Sequence, residues 1–404
     1  MQPIYLDNNA TTRADPAVVA AMLPFFSEQF GNASSAHAFG NEVAGAVRQA
    51  RKSVQALLGA AFDHEIVFTS GGTESDNTAI LSSLDTQDGR DEIVTTAVEH
   101  PAILALVDHL ATSRGIKTHF VGVDSHGRLD VEAYQRALGP RTALASVMWA
   151  NNETGTLFPV ERLAEMAHDA GAQFHTDAVQ AVGKIAVDLK TTAIDMLSLS
   201  AHKLHGPKGI GALYVRKGTK FSPQIRGGPQ ERRRRGGTEN VPAIVGLGKA
   251  AELVATHMDD ELGRVRGLRD RLEQGILQQI GHCGVVGDVQ SRLPNTSNIA
   301  FDHLEGEAII HHMNRVGIAA SLGSACASGS MEPSHVLLAM NVPITALRGA
   351  IRFSLSRDNT LADIDRVLQQ LPDIFVKLRA SSPSWLTRAQ TPLANSSQSS
   401  ELAL

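Results

Sequence analysis

The sequence predicts an α/β protein, with a large domain built on a mostly parallel sheet flanked by helices and a smaller α+β domain after it. Helical and strand-like patterns alternate from about residue 42 to 215, which favours parallel strands connected by helices. Residues 245–280 then form one long stretch of helical periodicity with charged faces. Strand and helix patterns resume between residues 283 and 355, so we expect the long helix to bridge two domains.

The first domain is expected to begin with a helix over residues 41–58, where apolar residues such as Val43, Val47 and Val54 recur at helical spacing. A β-rich run follows at 66–69. Two glycines end it, and a second helix starts with Thr73 as its expected N-cap. Helices are expected between most of the later strands, at 101–112, 130–138 and 160–170. We predict those strands at 93–96, 119–123, 143–149, 173–176, 196–200 and 211–215.

The second domain is expected to contain strands at 283–286, 296–301 and 350–355. We assign residues 16–255 to the large domain, and residues 1–15 and 256–380 to the small domain. From residue 381 the chain is rich in Ser, Pro, Gln and Ala and has few apolar anchors, so we expect 381–404 to be a disordered tail.

The composition excludes several classes of protein. The 404 residues include only two cysteines, Cys283 and Cys326, which excludes a disulfide scaffold and a zinc site made of cysteines alone. The net charge of -5 provides no basic field for nucleic acid. No apolar run approaches the roughly 20 residues of a membrane span, and the N-terminus lacks the features of a signal peptide. We therefore expect a cytoplasmic protein with reduced thiols and assign no metal site.

A glycine-containing turn is the first candidate site. Gly71, Gly72 and Thr73 stand between a predicted strand and a predicted helix. Such a turn offers free backbone N–H groups and the positive end of a helix dipole to a phosphate. The spacing matches neither a P-loop nor a dinucleotide-binding fingerprint. An ordinary strand-to-helix turn is the alternative.

An acidic residue at a strand end is the second candidate. Asp177 ends a predicted buried strand, and ligands of open α/β sheets bind outside such ends. Its carboxylate is suited to a protonated ring nitrogen, and Gln180 is close enough in sequence to reach a neighbouring ring oxygen. A helix-capping Asp is the alternative.

A lysine in a polar turn is the third candidate. Lys203 follows a predicted strand and lies close to Ser200, His202 and a Gly/Pro-rich segment. A desolvated lysine near other cations can lose its proton and react with an aldehyde cofactor, and Ser200 and His202 are suited to hold a phosphate. A solvated loop lysine is the alternative for Lys203 taken alone. The three candidates together are the parts that pyridoxal 5'-phosphate requires.

Two further residues suit the same site. His100 follows another predicted strand and has a flat ring that can stack on a cofactor, although a His that leads a helix before Pro101 is the alternative. Arg352 lies within a predicted strand, and arginine binds a carboxylate with two parallel hydrogen bonds. An ordinary salt bridge is the alternative for Arg352.

The two cysteines have different surroundings. Six of the ten residues 321–330 around Cys326 are Gly or Ser, which is typical of an exposed and mobile segment. A thiol there is partly ionised at neutral pH and suits transfer between a substrate and an acceptor, with an incidental surface thiol as the alternative. Cys283 heads an apolar strand, and we interpret it as structural.

The motifs as a set resemble those of the cysteine desulfurases, in class V of the fold-type I pyridoxal-phosphate enzymes. The sequences of the motifs are most similar to those of the NifS-like branch. The resemblance extends from residue 5 to about residue 371 and implies a seven-stranded sheet. Ala33, Ala201 and Ala327 depart from the residues common in the family. The motifs are residues 5–12, 69–77, 149–155, 202–209, 236–240 and 323–328.

The resemblance implies a role for each cofactor-binding residue. Lys203 forms a Schiff base with pyridoxal 5'-phosphate and later moves the Cα proton of the substrate. Asp177 pairs with the ring nitrogen, and Gln180 contacts the ring hydroxyl. His100 stacks on the ring and also takes part in catalysis. The phosphate is held by Gly72, Thr73, Ser200 and His202.

The resemblance also implies how substrate and partners bind. Asn32, Asn152 and Arg352 bind the carboxylate side of L-cysteine, and Asn152 contacts the cofactor as well. Thr238 reaches the cofactor phosphate of a partner subunit, which implies a homodimer. Cys326 takes the sulfur.

The implied reaction converts L-cysteine to L-alanine through an external aldimine and a persulfide on Cys326. The sulfur then passes to a protein acceptor for iron–sulfur cluster assembly, with nitrogenase as one destination. One alternative is a selenocysteine lyase or aminotransferase of the same fold, which keeps Lys203 and Asp177 but has no need of Cys326. Another is a non-catalytic sulfur-assembly platform, which needs no reactive lysine.

Overall fold

The structure is a computed structural model that describes residues 2–322 and 333–388. Within these residues the strands β1–β12 are Ile4–Tyr5, Ile66–Thr69, Glu92–Thr96, Lys117–Val121, Thr142–Ser146, Gln173–Asp177, Met196–Ser200, Gly211–Val215, Cys283–Val286, Thr296–Phe301, Ile318–Ala319 and Ala350–Ser354. The helices α1–α15 are Pro16–Met22, Pro24–Ser27, Ala38–Leu57, Gly72–Thr86, Pro101–Arg114, Val131–Ala137, Val160–Asp169, Gln230–Arg233, Val241–Asp260, Arg266–Gln279, Gly306–Arg315, His335–Ala339, Ile344–Leu347, Leu361–Ser381 and Pro383–Arg388.

Seven strands form one twisted sheet in the order β2-β8-β7-β6-β5-β3-β4. Strand β8 runs in the opposite direction to the other six strands of this sheet. The predicted α/β fold with a mostly parallel seven-stranded sheet is therefore confirmed. Strands β5 to β8 are buried along their whole length, because helices cover both faces of the sheet. Strand β5 ends at Ser146 rather than at the expected residue 149, since the backbone N–H of Met148 turns to the Glu99 carboxylate.

The two faces of this sheet bury separate apolar clusters. One cluster includes Val47 of α3 and Leu247 of α9. The other includes Ile80 of α4 and Ile103 of α5. The carboxyl ends of the parallel strands are thereby held at one edge, between α4 and α5 and the loops that follow β5, β6 and β7.

A second region contains an antiparallel sheet in the order β12-β10-β9 and the parallel pair β1-β11. Its core includes Leu272 of α10, Phe353 of β12 and Phe375 of α14. The predicted long helix is present, as α9 and α10 joined by one π-helical turn at Glu261–Val265. We propose that this turn is where the large domain passes into the small one.

The C-terminal segment differs from its prediction. Residues 381–388 are helical rather than disordered, since α14 extends to Ser381 and α15 follows it. The Trp385 ring anchors this segment, because the ring packs edge-on to His282 at 5.1 Å and lies 4.3 Å from the Arg379 guanidinium. Residues 389–404 lie outside the described residues. Among the residues that the structure describes, no helix is long and apolar enough to cross a membrane.

Candidate active site

A cavity of about 440 Å³ opens at the carboxyl ends of β5, β6 and β7. This is the edge of an open α/β sheet at which ligands bind. Ten of the residues predicted from the sequence line it, although they are spread over 281 positions of the chain. They are Gly72, Thr73, His100, Asn152, Asp177, Gln180, Ser200, His202, Lys203 and Arg352.

Asp177 is the last residue of β6 and is only 6% exposed. Its Oδ1 accepts a hydrogen bond from the Val179 N–H at 2.9 Å. Burial raises the pKa of Asp177 above its ordinary value, while His100 and Lys203 act in the opposite direction. A buried carboxylate of this kind is stabilised by a cationic partner, which a protonated ring nitrogen supplies.

The turn between β2 and α4 forms the anion-binding end of the cavity. A Cβ atom on Gly72 would lie 2.8 Å from Val179 Cγ2, so only glycine fits there without a shift of its neighbour. Helix α4 begins at Gly72 with Gly71 as its N-cap, so the prediction of Thr73 as the cap is wrong by two residues. Gly71 has a φ of 156°, which glycine adopts readily. The first backbone N–H groups of α4 and its dipole favour a phosphate at this point.

His202 and Lys203 lie on a short 3-10 turn directly after β7. Burial, followed by the nearby lysines, lowers the pKa of His202 to about 4, so its imidazole is neutral at physiological pH. Its Nδ1 lies 3.1 Å from Thr11 Oγ1. Lys203 Nζ donates to the carbonyl oxygens of Asn9 at 2.6 Å and Ala10 at 2.7 Å, and these two bonds hold the amine in the cavity.

His100 leads a helix, which was the alternative weighed from the sequence, and it also lines the cavity. It is the N-cap of α5, where its Nδ1 accepts a hydrogen bond from the Ala102 N–H at 3.1 Å. Because Nδ1 is an acceptor, the proton of the neutral ring is assigned to Nε2. The cap therefore fixes the imidazole beside the cavity.

Arg352 forms a salt bridge, which was the alternative weighed from the sequence, and it also lines the cavity. Its Nη2 lies 2.6 Å from Asp7 Oδ1, and its Nη1 donates to the Asn152 carbonyl at 3.0 Å. The side chain is 1% exposed and extends from β12 of the second region into the cavity of the first. The guanidinium is thus buried, oriented by a carboxylate, and part of the cavity wall.

Pyridoxal 5'-phosphate fits this set of residues. The Gly72 turn cannot hold a side chain and offers backbone donors to the phosphate. Asp177 offers a buried carboxylate to the ring nitrogen, and Lys203 lies on the turn that follows β7, the strand next to β6. The fit rests on the chemistry of these three elements, each of which lines the same cavity.

Two of the predicted site residues that the structure describes are not brought into the cavity. Thr238 lines a neighbouring cavity of about 240 Å³ together with Arg235, so in a single subunit it is separate from Lys203. Asn32 is exposed, and its side-chain oxygen accepts a hydrogen bond from the Ser34 N–H at 2.9 Å. Cys326 lies outside the described residues. The second cysteine, Cys283, fits its structural interpretation, because burial raises the pKa of its thiol to about 11.

The sequence reasoning missed several polar residues around the cavity. Glu99 is fully buried, accepts hydrogen bonds from Thr96 Oγ1 and the Met148 N–H, and has a pKa raised by burial to about 8. His335 lies beside it, with Nε2 2.9 Å from the Glu99 carbonyl. Asn9 is 2% exposed and bonds both to Lys203 and to the second region. The signal for Asn9 was its place in the motif of residues 5–12, and the signal for Glu99 was a charged residue directly after the apolar residues Ala97 and Val98.

The fold and site together define an enzyme that uses pyridoxal 5'-phosphate. The aminotransferase class-V family model matches residues 4–367, and the chain belongs to this family. A cysteine desulfurase of Gluconacetobacter diazotrophicus is 69% identical over 385 residues, covering 95% of this chain and 96% of that protein. The cysteine desulfurase NifS of Azotobacter vinelandii is 60% identical over 95% of this chain and 96% of its own. A solved NifS-like protein superposes with a TM-score of 0.87 at 36% identity, covering 93% of this chain and 100% of that chain.

Proposed function

We propose that this protein is a cysteine desulfurase that converts L-cysteine to L-alanine and retains the sulfur as a persulfide on Cys326. The observation that carries the proposal is that Lys203 and Arg352, from different regions of the fold, line one cavity. A reactive amine and a carboxylate-binding guanidinium suit a small α-amino acid as substrate. The similarity to proteins named cysteine desulfurase, over 95% of the chain, supports cysteine as that amino acid.

Each lining residue then has a task. Arg352 binds the substrate carboxylate and, with Asn152, orients its Cα toward Lys203. The Lys203 amine would take the Cα proton of the bound substrate. When bound, the cofactor supplies an electron sink for the electron pair released at Cα. Asp177 would stabilise the positive charge of the ring nitrogen, Gln180 would donate to the ring oxygen, and His100 would pack beside the ring and exclude water.

The sulfur-transfer step balances without an added oxidant. The Cys326 thiolate attacks the substrate sulfur, an S–S bond forms, and the C–S bond of the substrate breaks. The electron pair of that C–S bond stays with the carbon, which is protonated to give L-alanine. One cysteine substrate and one thiol therefore give one alanine and one persulfide.

A pair of cysteine variants tests the proposal, because the chain contains a matched control. With a thiol reductant present, wild-type protein should release equal amounts of alanine and sulfide from L-cysteine. Cys326→Ala should keep the visible absorbance of bound cofactor and lose sulfide release, whereas Cys283→Ala should keep both. Sulfide release by Cys326→Ala at the wild-type rate would show that Cys326 does not take the sulfur.

The same experiment separates the alternative functions. An aminotransferase would form a keto acid rather than alanine, and a selenocysteine lyase would act on selenocysteine without Cys326. A non-catalytic platform would show no borohydride-sensitive visible absorbance, and Lys203→Ala would not alter its spectrum.

We also propose that the protein acts as a homodimer in which Thr238 reaches the partner's cofactor phosphate. Thr238 lines a cavity other than that of Lys203 in its own subunit. Among the described residues, five exposed large apolar side chains, here called the apolar patch, fall within residues 19–39, and the rings of Phe30 and Phe39 lie 5.7 Å apart. Exposed apolar side chains concentrated in this way are typical of an interface. The five are Val19, Leu23, Phe26, Phe30 and Phe39.

Sedimentation velocity tests the dimer. Phe26→Asp should give a monomer at micromolar concentration, because it places a charge in the apolar patch. Phe120→Asp is the matched control, since Phe120 is also exposed but lies on β4, the edge strand of the sheet. A Phe26→Asp protein that sediments as wild type would exclude this patch as the interface.

The cellular role extends this proposal. We infer that the persulfide is delivered to a protein acceptor in the cytoplasm for iron–sulfur cluster assembly, with nitrogenase as one destination. The similarity to the Azotobacter vinelandii protein named NifS supports that destination. The genes adjacent to this one should encode cluster-assembly or nitrogenase proteins if the assignment holds.

A further inference from the structure

A second buried lysine, Lys184, lies behind the cavity and has no task in the mechanism above. It is 6% exposed and follows Gln180 by four residues. Its Nζ donates to Gln180 Oε1 at 2.8 Å and lies 3.3 Å from Asn9 Oδ1. Buried lysines are rare unless they have partners, so the contacts of Lys184 need an explanation.

The contacts of Lys184 decide which way the Gln180 amide points. A lysine ammonium has donors and no acceptor, so the atom of Gln180 that faces Lys184 must be its oxygen. The Gln180 nitrogen is then on the other side, where Nε2 donates to the Asn9 carbonyl at 2.9 Å. That nitrogen carries a second N–H, and Gln180 lines the cavity. With Lys184 in place, Gln180 presents a donor and not an acceptor to a ring oxygen.

The same contacts connect Lys184 to Lys203. The Asn9 carbonyl that accepts from Gln180 also accepts from Lys203 Nζ at 2.6 Å. A pocket of about 20 Å³, room for about one water, lies between the two lysines and is lined by both of them and by Glu261. Glu261 belongs to the π-helical turn that joins α9 to α10, and π turns are frequent at functional sites.

The charges around Lys184 come from several elements. Burial lowers its pKa to about 7, Lys203 and Arg352 act in the same direction, and Glu261 opposes them. Burial in turn raises the pKa of Glu261 to about 7. The other titratable groups that line the small pocket are His205, His257 and Arg357.

We propose that Lys184 is a positioning residue, which fixes the Gln180 amide with its N–H toward the cofactor's ring oxygen and, when protonated, places a cationic charge behind Lys203. A donor at the ring oxygen stabilises its deprotonated form. A cation near Lys203 disfavours a second positive charge there. Both effects make it easier for the nitrogen of Lys203 to lose its proton when the cofactor is bound. The inference rests on the proposed roles of Lys203 and Gln180.

A pH titration of the visible absorbance of the cofactor-loaded enzyme tests the inference without using activity. In Lys184→Met the midpoint of the spectral transition should move to higher pH by about one unit, the size expected for loss of a nearby like charge. Lys184→Gln should move the midpoint in the same direction, and this variant tests the role of Lys184 if Lys184→Met does not fold. Lys184→Arg, which keeps the charge, should restore the wild-type midpoint. Lys190→Met, the loss of a neighbouring exposed lysine, should not shift it.

Wild-type midpoints in both Lys184→Met and Lys184→Gln would overturn the inference, as would a Lys184→Arg midpoint equal to that of Lys184→Met. If Lys184 acts through Gln180, its shift and that of Gln180→Leu should combine less than additively, and full additivity would exclude this route. Lys203→Ala separates the two levels of the argument. Covalent attachment of the cofactor to the Lys203→Ala protein by borohydride reduction would refute the proposed function itself, whereas an unshifted Lys184 variant refutes only the role of Lys184.

Discussion

Replacement of Asp177 by Asn should have opposite effects on stability and on activity. The two side chains have nearly the same shape, so the change removes charge and leaves packing intact. In the cofactor-free protein, burial raises the pKa of Asp177, which means that the ionised carboxylate costs folding free energy at neutral pH. With the cofactor bound, the same carboxylate should stabilise a cationic ring nitrogen.

The size of the activity loss and the sign of the stability change follow from the charge of Asp177. An opposite charge within about 4–6 Å shifts a carboxyl pKa by about 1–3 units, and each unit corresponds to about 1.4 kcal/mol. Loss of that interaction should slow alanine formation by roughly 10- to 1000-fold. For stability, a raised folded-state pKa means that Asp177 destabilises the fold above its unfolded-state pKa. Cofactor-free Asp177→Asn should therefore resist urea better than wild type at pH 8, and the difference should vanish near pH 4.

The assay pairs two measurements on one preparation. The rate of alanine formation is measured per mole of bound cofactor, and urea unfolding is measured on the cofactor-free protein at pH 4 and pH 8. Asp195→Asn is the control, since Asp195 is also a buried aspartate at 8% exposure but binds His168 and the Phe174 N–H away from the cavity. Wild-type turnover in Asp177→Asn, or a loss of stability at pH 8, would refute this account of Asp177.

Three further predictions concern the cavity. Glu99 has a pKa of about 8 in the fold, so stability of the cofactor-free protein should fall as pH rises from about 4.5 to 8, with a contribution of up to about 1.4 kcal/mol per pH unit. Glu99→Gln should flatten this slope in urea unfolding, and an unchanged slope would exclude Glu99 as its source. Arg352→Lys should raise the KM for L-cysteine by about 10- to 100-fold, because lysine cannot form two parallel hydrogen bonds to a carboxylate. The cofactor spectrum should stay unchanged. An unchanged KM would exclude Arg352 from substrate binding. Gly72→Ala should weaken cofactor binding by about tenfold or more, since the added Cβ meets Val179; equilibrium dialysis that gives the wild-type affinity would refute this.

Much of the fold could be predicted because its strands are buried on both faces. The predicted ranges 196–200 and 211–215 match β7 and β8 residue for residue, since apolar and β-branched runs bounded by turns are strong signals. Boundaries at helix starts were weaker. The helix expected at 41–58 begins at Ala38, where His37 caps it through its side chain, and His is an uncommon cap.

The site was predictable where chemistry and strand position agree. Asp177, Ser200 and Lys203 stand at or just after the ends of adjacent strands β6 and β7, so topology alone brings them together. The contacts of Asn9 were not predictable in this way. They join the N-terminal segment to residues near 180, 203 and 295, and such separations are fixed by tertiary packing rather than by local pattern.

The C-terminal segment shows the limit of compositional reasoning. Its Ser-rich composition predicted disorder from residue 381. Helix α15 nevertheless forms about one and a half turns there, and its Trp385 ring packs against His282 and Arg379. One apolar anchor can outweigh a polar average when a neighbouring element offers it a surface.

The central claim is that the sulfur of L-cysteine passes to Cys326. Mass spectrometry of the peptide that contains Cys326, after one turnover without reductant and alkylation, tests it most directly. We predict that this peptide gains the mass of one sulfur atom, in proportion to the alanine formed, while the peptide with Cys283 does not. Alanine formed without added sulfur on Cys326, or with the sulfur on Cys283, would contradict the account.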